Sequence, residues 1–131
     1  MGIISIDLRK RQLIYEQIVE NVKEQIGRGV ILENDYMPSV RALANELGIN
    51  PNTIQKAYAE LERQGIIRSV TGRGSIVVVS ADDVMGMNRN KVSAKIVGVA
   101  EEAMASGMDL ETFCRIAGEV FSHRSSEEEI K

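Results

Sequence analysis

The sequence is poor in several residue types, and each shortage argues against a class of protein. It has a single cysteine, Cys114, so no disulfide forms within these 131 residues, as is usual for a chain in a reducing cytoplasm. Tryptophan is absent and aromatic residues make up only 4% of the chain, which argues against stacking on single-stranded nucleic acid. No apolar run approaches the roughly 20 residues needed to span a membrane. We therefore expect a cytoplasmic protein with no membrane partner.

Residues that carry catalysis or bind metals are equally scarce. His123 is the only histidine, so no serine-histidine-aspartate set is indicated, and no three or four ligands stand at the spacing of a zinc site. Cys114 lies on a predicted apolar helix face, which predicts a buried thiol rather than a nucleophile. Because glycine-rich nucleotide-binding motifs are also missing, the sequence predicts no enzyme, no cofactor and no metal.

The balance of charge at first opposes binding to nucleic acid, since the net charge is −3. Its distribution changes this conclusion. Residues 1–80 carry ten Lys or Arg and nine Asp or Glu, whereas residues 81–131 carry six and ten. The acidic excess therefore lies in the second segment. The first segment can still bind DNA if Arg41, Lys56 and Arg73 share one face.

The middle of the chain predicts two short helices joined by a tight turn. Ser39 can cap a first helix and Gly48 can end it. Asn50 and Pro51 then suit the start of a second helix. Apolar residues follow helical spacing in both segments, namely Val40, Leu43, Ala44 and Leu47, then Ile54, Ala57, Tyr58 and Leu61. Two helices with a glycine-containing turn of about three residues predict a helix-turn-helix.

The outward positions at the start of the second helix are polar: Asn52, Thr53, Gln55 and Lys56. In helix-turn-helix proteins these N-terminal residues meet base edges. Asparagine and glutamine suit adenine, and lysine suits guanine or phosphate. Free N–H groups at the helix N-terminus would add to phosphate binding. Any exposed helix carries polar residues, so it is the helix-turn-helix spacing that favours DNA binding.

Two β-branched runs, 66–70 and 76–79, follow the second helix and predict a hairpin. Gly72 and Gly74 in the connecting turn permit positive φ on either side of Arg73. An arginine at a loop tip suits a phosphate or minor-groove contact. A plain surface hairpin with an incidental charge fits the same residues.

These motifs together resemble the DNA-binding domain of the GntR family of bacterial transcription regulators, and in particular its YtrA-like subfamily. The matching segments are IYEQI at 14–18, PSVRALA at 38–44, GINPNTI at 48–54, AYAELE at 57–62 and GRGS at 72–75. The resemblance implies DNA contacts by Arg41, by the polar residues of the second helix, and by Arg73 and Gly74 in the wing. Pro51 and Gln55 stand where other branches often have arginine, so the operators of those branches do not transfer.

The last 50 residues predict two more helices, one over 90–106, with a start nearer Asp82 as the alternative, and one that Asp109 caps. Two helices cannot enclose their own apolar faces, so these faces must pack on the rest of the chain or on a second copy. Symmetric dimers commonly read two half-sites, and the resemblance also implies a two-helix dimer tail. The residues predicted to form the dimer contact are Val92, Ile96, Val99, Leu110, Phe113, Ile116, Val120 and Phe121. A monomer with its tail folded back is the alternative.

The sequence therefore predicts a mainly α-helical protein with a small β-hairpin. A winged helix-turn-helix domain is expected over residues 1–80, and a helical dimerisation tail over 81–131. The predicted function is a sequence-specific transcription regulator, a repressor that binds a palindromic operator in double-stranded DNA as a homodimer. A winged-helix protein-interaction module without DNA binding is the alternative. Nothing in the sequence indicates an effector.

Overall fold

A computed structural model describes the backbone of residues 3–130 and the side chains of residues 3–124. In chain order its elements are α1 (Ile14–Gly27), α2 (Val40–Leu47), α3 (Pro51–Arg63), β1 (Ile67–Val70), β2 (Gly74–Val77), α4 (Ala81–Ala105) and α5 (Leu110–Ile130). The prediction of a mainly helical chain with a β-hairpin is confirmed. The chain divides into two compact units, Met1–Met87 and Asn88–Lys131.

In the first unit, α1 forms because apolar residues recur every four positions along one face. Ile18 and Val22 are fully buried in the core. Gln17 is the buried polar residue beside them, and its amide accepts the Asp7 N–H at 2.8 Å and donates to the Asp7 carbonyl at 3.1 Å. These bonds hold the segment before α1 against the helix, and Ile4 in that segment is buried.

The boundaries of α2 and α3 are set by the predicted capping residues. Ser39 Oγ accepts the Ala42 N–H at 3.0 Å, and Gly48 ends α2 with φ of 68°. Asn50 Oδ1 then accepts the Asn52 N–H at 2.8 Å at the start of α3. The positive φ at Gly48 is a conformation that a side chain would strain. The tight turn between the two helices therefore depends on this glycine.

One apolar core joins the helices and the hairpin. Leu43, Ile54 and Leu61 are fully buried in it, as is Val77 from β2. The Tyr58 hydroxyl donates to the Pro38 carbonyl at 2.7 Å, which ties α3 to the segment before α2. Burial raises the pKa of Tyr58, so the phenol stays protonated and remains a donor. Packing and this bond together fix α3 relative to α2.

The hairpin is antiparallel, with Ile67 opposite Val77 and Val70 opposite Gly74. Its register places Gly74 and Ser75 inside β2, so the turn is shorter than predicted and β2 ends at Val77 rather than at residue 79. The other edge of β2 pairs with residues 34–37, for example through the Met37 N–H and the Ser75 carbonyl at 2.9 Å. The outer edge of β2 thus joins the hairpin to the segment before α2.

Helix α4 begins at Ala81, next to the alternative start near Asp82 and nine residues before residue 90. The Ser80 hydroxyl accepts the Asp83 N–H at 3.1 Å, and the Asp83 carboxylate accepts the Ser80 N–H at 3.0 Å. This reciprocal pair is a capping box, which starts the helix at Ala81. Val84 in the first turn is fully buried in the core of the first unit. The start of α4 therefore belongs to the first unit.

In the second unit, Gly107 ends α4 with φ of 86°, and Asp109 caps α5 by accepting the Thr112 N–H at 2.9 Å. Seven of the eight residues predicted for dimerisation are exposed, namely Val92, Ile96, Val99, Leu110, Ile116, Val120 and Phe121. Phe113 is half-buried. Cys114 is exposed, so the prediction of a buried thiol is wrong for the single chain. Among the helices described, none is long and apolar enough to cross a membrane.

Candidate nucleic-acid interface

The start of α3 turns a polar surface outward because its opposite face is held in the core. Asn52, Gln55 and Lys56 are exposed and Thr53 is half-buried. The buried face is apolar and consists of Ile54, Ala57, Tyr58 and Leu61. The structure therefore presents the four residues predicted to read DNA on a rigid helix.

Fewer backbone N–H groups are free to bind phosphate at the start of α3 than the sequence predicts. The Asn52 N–H donates to Asn50 Oδ1, and the Thr53 N–H donates to the Asn50 carbonyl at 3.0 Å. Pro51 has no N–H group. The prediction of free N–H groups is therefore wrong for these first positions, because the capping residue already uses them. The side chains of α3 are left as its principal donors.

Lys56 lies against an aromatic ring that the sequence did not connect with it. Its Nζ atom is 4.2 Å from the centroid of the Tyr15 ring, which is close enough for a cation–π contact. Both residues line an open groove of about 450 Å³ between the start of α1 and the start of α3. The other lining residues are Leu13, Ile14, Asn50, Asn52 and Thr53. Tyr15 packs against the core beside the buried face of α1, and no local signal in the sequence relates it to a residue 41 positions later.

The two basic residues predicted to contact DNA from other elements, Arg41 and Arg73, lie outside this groove. Arg41 is exposed in the first turn of α2, and Arg73 is exposed in the hairpin turn. Gly72 and Gly74 flank Arg73 with φ of 74° and 86°. Among the described residues, none beyond its two chain neighbours comes within 4 Å of the position that a side chain at Gly74 would start from, so the space around Gly74 is open. The structure thus groups Asn52, Thr53 and Lys56 at one groove and leaves Gln55, Arg41 and Arg73 outside its lining.

The far end of α3 is anchored by charged and amide side chains. Glu60 accepts hydrogen bonds from the Arg63 guanidinium and from the Gln64 amide, the latter at 2.9 Å. These bonds, that from Arg63 above all, lower the pKa of Glu60 to about 2. Gln64 in turn accepts a hydrogen bond from Lys23 Nζ of α1 at 2.9 Å. This chain of contacts holds α3 against α1 at the end away from the polar surface.

Comparison with known proteins shows what this arrangement is similar to. The family model described as "Bacterial regulatory proteins, gntR family" matches residues 14–77, from the start of α1 to the end of β2. The HTH-type transcriptional repressor YtrA of Bacillus subtilis (strain 168) is 38% identical over 109 residues, covering 82% of this chain and 84% of the repressor.

Solved structures agree with this match. A transcriptional regulator from Oenococcus oeni is 33% identical and superposes with a TM-score of 0.73, covering 88% of this chain and 97% of that one. The crystal structure of AraR(DBD) in complex with operator ORE1 is 29% identical, with a TM-score of 0.50 over 57% of this chain and 92% of that one. The fold of the first unit therefore occurs in a protein bound to an operator.

Proposed function

Because the chain belongs to the GntR family of bacterial regulatory proteins and is a DNA-binding transcription regulator, not an enzyme, we propose that it represses transcription by occupying a palindromic operator as a homodimer. The similarity to YtrA confirms the resemblance to the YtrA-like subfamily. That relative is named a repressor, which supports the same direction of control here. Operator DNA of a bacterial regulator lies in the cytoplasm, and we place the action of this protein there.

One observation carries the proposal: a polar surface at the start of α3 stands outward on a helix that the core holds rigidly. In the major groove, the exposed Asn52 and Gln55 side chains suit the adenine edge, which offers one donor and one acceptor. Thr53, which is half-buried, suits a base or a phosphate at the border of the same surface. We assign the reading of sequence to these three residues.

The remaining contacts in the proposal go to the DNA backbone. Arg41 and Arg73 are exposed on separate elements of the first unit, and arginine binds phosphate through paired N–H groups. The open space around Gly74 lets the hairpin backbone approach a strand of DNA closely. These contacts hold the regulator on DNA of any sequence, and the α3 contacts choose among sequences.

The proposal assigns residues 1–80 to DNA binding and residues 81–131 to joining two chains. Its support is the apolar surface of α4 and α5, where Ile96 is 53% exposed and Phe121 is 77% exposed. Burying such an exposed apolar surface against a partner is favourable, so the surface promotes association. A second copy is the partner proposed, since a symmetric dimer matches two half-sites that are about 34 Å apart.

The test is a selection of bound duplexes from a random DNA library. The wild-type protein should enrich a palindrome. Gln55→Ala should reduce the base preference at one or two positions of each half-site, since a good base contact supplies about 1–3 kcal/mol of discrimination. Asn45→Ala, which changes an exposed polar residue of α2, is the matched control and should leave the palindrome intact. A folded dimer that enriches no sequence would contradict the proposal and favour a protein-interaction module.

The wing contact is tested separately with Arg73→Ala. Affinity should fall on all sequences, and the dependence of affinity on salt should weaken by about one charge, because one phosphate contact is lost. Arg28→Ala removes an exposed arginine that pairs with Glu24 at the end of α1, and it should change neither quantity. If Arg73→Ala behaves like this control, the wing does not contact phosphate.

A further inference from the structure

Lys56 is the basic residue of the first two turns of α3, and its side chain is held to one side of the helix. The ammonium lies 4.2 Å from the centroid of the Tyr15 ring. Tyr15 itself is half-buried on the first turn of α1 and packs against the core. The ring is therefore a fixed surface, whereas an exposed lysine without such a contact samples many rotamers.

The two flanks of α3 differ in what they contact. Residues of an α-helix follow one another at about 100°, so Lys56 projects toward the flank of Thr53 and Gln55 toward the opposite flank. The groove agrees with this division, since Lys56 lines it together with Asn52, Thr53 and Tyr15, whereas Gln55 does not. On the Gln55 side, Tyr58 bonds to the segment that precedes α2.

A helix in the major groove meets base edges along its centre and the phosphates that border the groove along its flanks. A lysine drawn onto a flank is thus placed for phosphate. The contact with the ring face also leaves N–H groups free, because an ammonium has three donors and no acceptor. Lys56 does not need to leave the ring in order to bind DNA.

We propose that Tyr15 is a positioning residue for DNA binding, which holds the Lys56 ammonium at the α1 flank of α3 so that it contacts a backbone phosphate and reads no base. This inference rests on the proposed function, in which α3 lies in the major groove. It divides the polar residues of α3 into base readers and one phosphate contact. It also gives α1 a part in DNA binding through a half-buried side chain that packs against the core.

Binding measurements on four variants test the coupling between the two residues. Tyr15→Leu should weaken binding to the selected operator about two- to fivefold, because the Lys56 side chain then loses its rotamer freedom on binding rather than beforehand. It should leave the salt dependence unchanged, because the charge remains. Lys56→Met should weaken binding to all sequences and reduce the salt dependence by about one charge. Tyr15→Phe keeps the ring and should match the wild type.

The double variant separates positioning from a structural role. With Lys56→Met already present, Tyr15→Leu should cause no further loss, because the ring then has no ammonium to hold. An equal loss with and without Lys56→Met would overturn the proposal, since Tyr15 would then act only through the fold. A change of preferred base at a defined position in Lys56→Met would overturn it as well, since Lys56 would then be a base reader.

NMR spectroscopy detects the contact between Lys56 and the Tyr15 ring in the full-length protein without DNA. Protons above an aromatic ring face shift upfield, so the Cε protons of Lys56 should be upfield in the wild type and should remain so in the complex with operator. Loss of that shift on binding would overturn the proposal, even if Tyr15→Leu fails to fold. A wild-type protein that shows the shift but binds no DNA would overturn the proposed function first, whereas one that binds DNA without the shift would overturn the positioning role alone.

Discussion

The two units use the same kind of residue in opposite ways. In Met1–Met87, isoleucines at helical spacing such as Ile18 and Ile54 are fully buried. In Asn88–Lys131, Ile96 and Val99 stand at similar spacing and are each 53% exposed. Apolar residues along one face of a helix therefore show that this face packs against something. They do not show whether it packs in the core of the same chain or on another chain. In this protein the apolar helix faces of the first unit are buried in its core. Those of the second unit stay exposed, and we propose that a second copy of the chain packs on them.

The largest expected effect comes from truncating one isoleucine in each unit. Ile18→Ala should lower the free energy of unfolding by about 2–5 kcal/mol, because it leaves a cavity in a packed core. Measured below the concentration at which two copies associate, Ile96→Ala should change the same free energy by less than about 1 kcal/mol, because the side chain is half exposed in the single chain. Circular dichroism during urea unfolding is the measurement, since it follows the helices of both units. Equal losses in the two variants would break the contrast.

A charge placed on the exposed surface tests whether a second copy covers it. Ile96→Glu should weaken the dimer by about 2–4 kcal/mol, roughly a 30- to 1,000-fold rise in Kd, because burying an unpaired carboxylate is costly. Sedimentation at several concentrations measures this change. Asn90→Glu adds the same charge at an exposed polar position of α4 and should leave the association unchanged. A wild-type protein that is monomeric at micromolar concentration would remove the dimer from the proposal.

A smaller effect is expected from the polar bond that links the helices of the first unit. Tyr58→Phe removes the hydroxyl that donates to the Pro38 carbonyl, and leaves that carbonyl without this donor. The free energy of unfolding should fall by about 1–2 kcal/mol. Tyr36→Phe is the matched control, because Tyr36 is 50% exposed and should tolerate the change. Circular dichroism suits both variants, and indistinguishable midpoints would show that packing alone orients α3.

The smallest effect concerns pH. The pKa of Glu60 is lowered from its usual 4.5 to about 2, chiefly by the hydrogen bond from Arg63. The folded state therefore favours the ionised form. Its contribution to stability is fully present above pH 4.5 and is lost as the pH falls toward 2. Over this interval, Glu60→Gln should lose less stability than the wild type in acid unfolding curves. Parallel curves for the two proteins would show that Glu60 does not stabilise α3.

Much of the first unit could be predicted because its signals are local. Capping by Ser39 and Asn50, together with Gly48, places α2 and α3 within a few residues of chain. The start of α4 agrees with the alternative near Asp82 rather than with residue 90, because Ser80 and Asp83 form a capping box there, whereas Met85, Gly86 and Met87 obscure the apolar periodicity of its first turns. The identity of the polar residues on α3 was likewise available from the sequence.

Other features appear only when distant parts of the chain meet. The sequence by itself determined the helices, their caps, the wing turn and the polar outward face of α3, because each depends on residues a few positions apart. Only the tertiary structure decided that Tyr15 lies against Lys56, and that Cys114 and most of its apolar neighbours stay exposed. Such contacts follow from how the elements pack, and no local spacing encodes the packing.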